Sequence, residues 1–240
     1  MTAATAPDDL LIVVPTYNES GNIPELIPQI FGSVNHAHVL IVDDNSPDGT
    51  AEVVERLRGD YPCLHLLRRN GERGLGRAYT AGLHYGLDNG FQIIGTMDAD
   101  LSHDPPHLPA MLELLRISDV VIGSRYVRDG GTVNWGLGRV LLSWTANKFA
   151  AALLQIPAHD ITSGYRLYRR QALEWIRTTE VKSTGYSFLS ELLYRAHRGG
   201  ARVAEHPIVF HDRTMGISKL HRREIYLGAI NLLRLRFSRS

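Results

Sequence analysis

Phe91-Gln92-Ile93-Ile94-Gly95-Thr96-Met97-Asp98-Ala99-Asp100 is the stretch from which the rest of this chain is read. An apolar run of strand character passes directly into two carboxylates, two residues apart. Side chains at i and i+2 of an extended segment project to the same side. The spacing therefore predicts that Asp98 and Asp100 converge on one hard cation. A Mg²⁺ held by one or two carboxylates usually also takes substrate phosphates, so the segment predicts a metal-bound diphosphate at the end of a buried strand. The plain alternative is a carboxylate pair that only caps a turn.

Outward from this segment the same kind of run recurs. Residues 10–16 (LLIVVPT), 39–43 (VLIVD), 64–68, 93–97 and 119–123 (DVVIG) read as strands. Their continuous Val, Ile and Leu content suits a sheet covered on both faces. Residues 22–31, 50–57, 76–87 and 106–116 read as helices, with Pro24, Pro105 and Pro106 at helix starts. Alternating strands and helices imply an α/β fold with a mostly parallel sheet and right-handed crossovers. Ligands of such folds bind outside the carboxyl ends of the strands. Tyr17-Asn18-Glu19, Asp43-Asp44-Asn45 and Asp98-Ala99-Asp100 all fall at those ends and point to one site. In the second half, residues 136–155 and 187–197 read as helices, 202–210 as a strand and 222–237 as a terminal amphipathic helix. With no internal repeat or long linker, the expected organisation is an N-terminal tail (1–9), one catalytic domain (10–220) and a basic C-terminal helix (221–240).

Composition narrows the partners. The 240 residues carry a net charge of +1 and 44% hydrophobic side chains, enough for a substantial core and no global field for nucleic acid. Arg222, Arg223, Arg234, Arg236 and Arg239 face the single acid Glu224 in the last twenty residues, which suits either an anionic membrane surface or a solvated helix face. Cys63 is alone, so no intrachain disulfide forms, compatible with a reducing compartment. The first residues lack the basic and apolar regions of a signal peptide. No window reaches the ~18 apolar residues of a membrane span; the nearest, 137–156, is interrupted by Arg139, Asn147, Lys148 and Gln155. The expectation is a cytoplasmic protein, soluble or peripheral on a membrane.

The remaining motifs supply contacts. In Pro15-Thr16-Tyr17-Asn18-Glu19, Tyr17 offers a ring to a base and Glu19 an acceptor to base or ribose donors. In residues 43–50, an Asx-type turn with Asp48 or Thr50 capping the next helix explains the later positions. It does not explain the adjacent acids, and Asp44 is the expected nucleotide contact. Gly71, Gly74 and Gly76 permit close phosphate approach. The segment follows the third strand and places Tyr79 where a dinucleotide fingerprint needs glycine, which argues against a nicotinamide site. Zinc from Asp100, His103 and His107 is a rival that Pro105 and Pro106 weaken; the two histidines are expected at the rim. Arg125, Arg139 with Ser143, and Arg213 with Lys219 supply cations on the side of the acidic tips, where guanidinium binds phosphate bidentately. Residues 163–166 read as a structural turn. The apolar stripes of 135–156 and of the terminal helix read as core-facing or as interfacial.

Taken in order, PTYNE (15–19), VDDNSPDGT (42–50), GLGRAY (74–79), MDADLSH (97–103), GSRY (123–126), DITSGYRLY (160–168) and DRTMGISKL (212–220) resemble a dolichyl-phosphate (polyprenyl-phosphate) mannose synthase, an inverting glycosyltransferase of the GT-A fold. The resemblance implies that Pro15, Tyr17, Glu19, Val42 and Asp44 contact the nucleoside. It implies that Asp98, Ala99 and Asp100 serve ribose, diphosphate and a Mg²⁺ or Mn²⁺ ion. Ser102 stands where some relatives have Gln and completes the implied metal set. Arg213 and Lys219 match diphosphate-binding cations. Arg125 and Arg139, with Ser143, match those that receive a lipid phosphate, so Asp100, Arg125 and Arg139 are the implied catalytic residues. The implied substrates are GDP-mannose and a dolichyl or polyprenyl phosphate, at a membrane surface, with room for a small membrane-anchoring subunit. A UDP-sugar hexosyltransferase and a non-catalytic nucleotide-sugar-binding subunit are the alternatives.

Overall fold

The computed structural model describes residues 9–176, 181, 186–211 and 222–237. Its centre is a seven-stranded sheet. In chain order the strands are β1 (Leu10–Thr16), β2 (His38–Asp43), β3 (Leu64–Arg68), β4 (Ile93–Thr96), β5 (Val120–Ser124), β7 (Arg166–Arg169) and β8 (Val203–Pro207). In space they run β3-β2-β1-β4-β7-β5-β8. All neighbours are parallel except β7, which is antiparallel to both β4 and β5. A short parallel pair, β6 (Gly131–Val133) with β9 (Val209–His211), lies apart from this sheet.

The period of two along each strand builds two cores, one per face. Leu11 and Val13 of β1 join Leu40, Val42 and Ile94 with Tyr79 and Leu83 of α3 (Leu75–Asp88) on one face. Ile12 and Val14 join Val39, Ile41 and Val121 on the other, with Ile23, Leu26, Ile27 and Ile30 of α1 (Ile23–Ser33). Each fully buried aliphatic side chain contributes about 1.5–3 kcal/mol. Two glycines let α3 approach the sheet: a Cβ at Gly82 would overlap Val13, and one at Gly86 would lie 2.5 Å from Ile94 Cδ1. The other helices are α2 (Thr50–Leu57), α4 (Leu108–Leu115, after a 3-10 turn at Pro105–His107), α5 (Leu137–Leu154), α6 (Arg170–Ile176), α7 (Tyr186–Arg198) and α8 (Arg222–Phe237).

The architecture matches the α/β expectation, with differences that matter for the site. Residues 163–166 were expected to form only a turn; Arg166 instead opens β7, whose sequence RLYR carries too much charge to read as a central strand. The expected strand 202–210 breaks at Ile208 into β8 and β9, because Ile208 turns into the core while its neighbours pair with different partners. Strand β4 ends at Thr96, so the Asp98–Asp100 pair lies just beyond the strand, in a bend with Leu101 at φ 61. The i, i+2 argument for convergence therefore does not apply as stated. On α5 the core face is Asn147, Ala150 and Leu154. Leu137, Leu141, Leu142, Trp144 and Phe149 are exposed, Leu137 by 89%. The core-facing reading of that stripe is thereby corrected. Among the described residues, no helix is long and apolar enough to cross a membrane.

Candidate active site

The polar residues at the carboxyl ends of β1, β2, β4 and β5 form three groups. At the first tip, buried Asp43 accepts the Thr16 hydroxyl at 3.1 Å and the Ser46 amide at 3.0 Å, which ties β1 to the turn after β2. That turn organises the loop opposite. The Asn18 amide donates to Ser46 Oγ at 3.0 Å and the Glu19 amide to Thr50 Oγ1 at 3.0 Å, while Asp48 accepts the Thr50 amide at the start of α2. Asp43 is thus the structural acid of its pair; the N-cap of α2 is Gly49, and Asp48, expected to cap, accepts the first helical amide from one residue before it.

Asp44 accepts the Gly74 amide at 2.8 Å and an N–H of the Arg69 guanidinium. It links β2 to the glycine-containing loop instead of standing free in the crevice. Tyr17 is half-buried; Arg73 covers its ring at 4.8 Å and also donates to its hydroxyl. Neither Arg69 nor Arg73 was assigned a role from sequence. Glu19 accepts from Asn22 Nδ2 at 2.7 Å. Pro15 and Val42 are buried partners in the β1–β2 ladder, and the Val42 side chain lies in the core, so a contact from Val42 falls to its backbone.

The second group is built around the acidic pair. Asp98 Oδ1 accepts the Tyr79 hydroxyl at 2.7 Å, and its Oδ2 lies 3.8 Å from His103 Nε2. His103 Nδ1 accepts the Asp98 amide at 3.0 Å, which leaves the imidazole proton on the Nε2 side. Burial holds the His103 imidazole below its ordinary value despite the opposing pull of Asp98 and Asp100, and keeps the ring neutral. Burial, then the Asp98 charge, pushes the Tyr79 hydroxyl well above the usual phenol range, so it stays a donor. Gly164 backs this arrangement: a Cβ there would lie 3.0 Å from Tyr79 Oη and 3.3 Å from Asp98 Oδ1. Asp100 is 7% exposed and accepts the Ser102 hydroxyl at 2.5 Å and the Ser102 amide at 3.2 Å. Ser102 therefore orients Asp100. Ala99 is buried in the core.

His103 is 2% exposed and stacks on Tyr165 at 5.1 Å, so it is not the rim residue expected. His107 turns to His206, with Nδ1 and Nε2 3.2 Å apart. The two histidines do not converge with Asp100. Among the described residues, no group of three or more His, Cys, Asp and Glu is placed to hold a metal. The donors at Asp98, Asp100 and Ser102 are all oxygens. Such a set fits a hard divalent cation that completes its coordination with phosphate oxygens, and does not fit a closed zinc site.

The third group surrounds Arg125, at the end of β5. Its Nε and Nη2 donate to the two oxygens of Asp160 at 2.7 Å each, Nη2 also reaches Thr162 Oγ1 at 2.9 Å, and its amide donates to Asp160 at 3.0 Å. Burial works against both charges, but the mutual attraction wins: Arg125 is shifted up and Asp160 down from their ordinary values. Arg125 was expected to face a phosphate with its full fork. The structure commits Nε and Nη2 of that fork to Asp160 and Thr162. Tyr126, Trp135 and Phe210 lie 5.2–5.5 Å from its guanidinium. Asn147 of α5 fixes the same loop, accepting the Ile161 amide at 2.7 Å and donating to Thr162 Oγ1 at 3.1 Å. Arg166, fully buried, donates to the carbonyls of Ile161, Ser163 and Leu189, the structural role expected for that turn.

Arg139, in the first turn of α5, lies 3.9 Å from the Trp135 ring centroid, and half-buried Ser143 is one turn further along. Phe210 joins the groups: it packs edge-on against Trp135 at 5.4 Å and against His103 at 5.7 Å. The arginine pair is therefore linked to the acidic pair through Trp135, Phe210 and His103. Arg213 and Lys219 lie outside the described residues.

A family model for glycosyl transferase family 2 matches residues 11–177, a stretch that contains Tyr17, Asp98, Asp100, Arg125 and Asp160. The chain belongs to this family. The family 2 glycosyltransferase is 42% identical over 212 residues to a polyprenol monophosphomannose synthase of Mycolicibacterium smegmatis, covering 88% of this chain and 80% of that one. It is 39% identical over 225 residues to an undecaprenyl-phosphate mannosyltransferase of Micrococcus luteus, covering 94% and 93%. Among solved structures, it superposes on glucosyl-3-phosphoglycerate synthase of Mycobacterium tuberculosis in complex with Mn²⁺, UDP and glucosyl-3-phosphoglycerate, with a TM-score of 0.67 at 19% identity over 95% of this chain and 79% of that one. A mannosyltransferase of Pyrobaculum calidifontis in complex with GDP-Man and Mn²⁺ gives 0.59 at 21% identity, covering 95% of this chain and 63% of that one. These structural likenesses establish the GT-A fold of the glycosyltransferase.

Proposed function

We propose that the protein transfers mannose from GDP-mannose to a polyprenyl or dolichyl monophosphate, with inversion, at the cytoplasmic face of a membrane and with Mg²⁺ or Mn²⁺. The observation that carries the reading is the linkage, through Trp135, Phe210 and His103, of an oxygen-only acidic tip to two arginines, which suits a site for two anions. Relatives at about 40% identity whose names specify polyprenol phosphate and mannose support the same choice.

Asp98 and Asp100 would hold the divalent ion with the donor diphosphate, and the ion would stabilise charge on the departing GDP. Tyr79 and Ser102 keep the two carboxylates oriented, through bonds of 2.7 and 2.5 Å. Asp44, held between Arg69 and Gly74, and Tyr17, covered by Arg73, shape the nucleoside side, with Arg213 and Lys219 assigned to the diphosphate. Arg139, Arg125 and Ser143 receive the acceptor phosphate. A phosphate monoester has a second pKa of about 6, so the nucleophilic oxygen is already ionised at neutral pH and needs no general base. Positioning of two charged reactants supplies the catalysis. The exposed Leu137, Leu141, Leu142, Trp144 and Phe149 of α5, beside Arg139, suit insertion at a lipid surface that presents the acceptor. A small membrane-anchoring subunit would be the alternative cover for that face.

The test is incubation with labelled GDP-mannose or UDP-glucose and polyprenyl phosphate, with and without chelator. Metal-dependent transfer of mannose to lipid is expected. Preferential transfer from UDP-glucose would replace the sugar assignment, and binding of donors without turnover would indicate a non-catalytic subunit.

A further inference from the structure

We infer that Trp135 is a positioning residue for the acceptor phosphate: its indole holds the Arg139 guanidinium and keeps it beside that of Arg125 at a fixed place relative to the acidic pair. This rests on the functional reading above and goes beyond it, because no motif assigned Trp135 any part in the chemistry.

The Arg139 guanidinium sits over the Trp135 ring at 3.9 Å, and that of Arg125 is 5.5 Å from the same ring. Both distances are within the ~6 Å range of a cation–π attraction, which is strongest for Trp. Two like charges are thus gathered around one ring. The arrangement is tolerable because Arg125 is already compensated by Asp160, at 2.7 Å. A free arginine has many rotamers, and fixing it when a ligand arrives weakens binding. The indole fixes the guanidinium beforehand.

The ring is itself held. Trp135 follows β6, and the β6–β9 pairing places Val133 opposite His211, next to Phe210. Phe210 meets the indole edge-on at 71° and the His103 ring edge-on at 76°. His103 in turn accepts the Asp98 amide at 3.0 Å. A continuous aromatic path therefore connects the cations of the acceptor half to the backbone of the donor half.

The choice of Trp carries a cost. Its indole N–H is buried and has no hydrogen-bond partner among the described residues, and an unmet buried donor is unfavourable. Phe would fill the ring position without that cost. What Trp offers over Phe is the stronger attraction for a cation on its face.

The experiment measures KM for polyprenyl phosphate and for GDP-mannose in Trp135→Leu and Trp135→Phe beside the wild type. Trp135→Leu should raise the acceptor KM about 5–30-fold and leave the donor KM within about twofold. Trp135→Phe, which keeps a ring, should raise the acceptor KM about threefold, with thermal stability equal to or above wild type. An unchanged acceptor KM in Trp135→Leu overturns the inference, as does an equal rise in both KM values. Equal damage from Phe and Leu also overturns it, because the N–H and not the ring face would then matter. If Trp135→Leu does not fold, Trp135→Phe decides alone: no acceptor-specific rise refutes the inference. A wild type that transfers no mannose to polyprenyl phosphate overturns the functional reading itself, which separates the two failures.

Discussion

Replacing Asp160 by Asn removes one charge and leaves nearly every heavy atom in place. Asp160 is fully buried, and its two oxygens take Arg125 Nε and Nη2 at 2.7 Å each, with the amides of Arg125 and Ser163 at 3.0 and 3.1 Å. Asn still accepts through one oxygen, but its NH₂ faces an arginine N–H. The Arg125 side chain, 8% exposed, keeps a charge with no carboxylate beside it. Breaking a buried pair from one side costs about 3–5 kcal/mol. For a chain of this size each kcal/mol lowers the melting temperature by about 2–4 °C, so Asp160→Asn should melt about 6–20 °C below wild type. Removing the stranded charge as well should reverse the effect. The double variant Arg125→Met/Asp160→Asn should recover more than half of the loss, because no unpaired ion remains buried. Circular dichroism melts of wild type, both single variants and the double variant measure the whole cycle. A loss below about 1 kcal/mol in Asp160→Asn, or no recovery in the double variant, would refute the claim that Arg125 is locked by Asp160.

Asp100→Ala should cut turnover at least about 100-fold, since metal stabilisation of the leaving group amounts to several kcal/mol; activity within a few-fold of wild type would sink the metal role. Tyr79→Phe deletes the 2.7 Å bond to Asp98, and a bond to a charged group contributes about 1.5–3 kcal/mol. The metal concentration needed for half-maximal activity should rise several-fold in that variant, and an unchanged metal titration would contradict it. Stability should respond to acid in two stages. The buried His103 is held below its ordinary value, so its contribution is complete above about pH 6.5 and declines as pH falls below that. Asp119, held down mainly by the Arg202 hydrogen bond, and Asp160 are depressed carboxyls whose contributions persist above about pH 4 and are lost as pH falls through their folded values. A melting temperature that stays flat from pH 7 to 4.5 would show that His103 is not buried and neutral in solution.

Where local sequence carried the signal, the fold was legible. The runs at 10–16 and 64–68 and the helix at 50–57 occur with the expected bounds, because their apolar residues are contiguous or periodic and their ends carry Pro, Asx or Gly. Strand β7 was not legible. Its four residues RLYR succeed as a strand because Arg166 finds three backbone carbonyls, a compensation made by residues 161, 163 and 189. The site divides the same way. Asp98, Asp100 and Arg139 announced themselves by type and position at strand or helix ends. Asp160, Asn147 and Trp135 did not, although Asp160 opens the segment DITSGYRLY (160–168) that carries part of the family resemblance. Their roles come from partners 35, 15 and 4 residues away, through Arg125, Thr162 and Arg139. Only the packed loop shows that Arg125 has a buried counter-ion and that Val42 offers no side chain to the crevice.

The central claim is that one crevice holds a donor diphosphate at the acidic pair and an acceptor phosphate at the arginines. The most direct test is the pair of KM values for GDP-mannose and polyprenyl phosphate in Arg139→Ala. Loss of one bidentate contact to a charged phosphate amounts to about 1.5–3 kcal/mol, so the acceptor KM should rise about 10–150-fold while the donor KM stays within about twofold. An equal rise in both, or a rise confined to the donor, would contradict the division of the site.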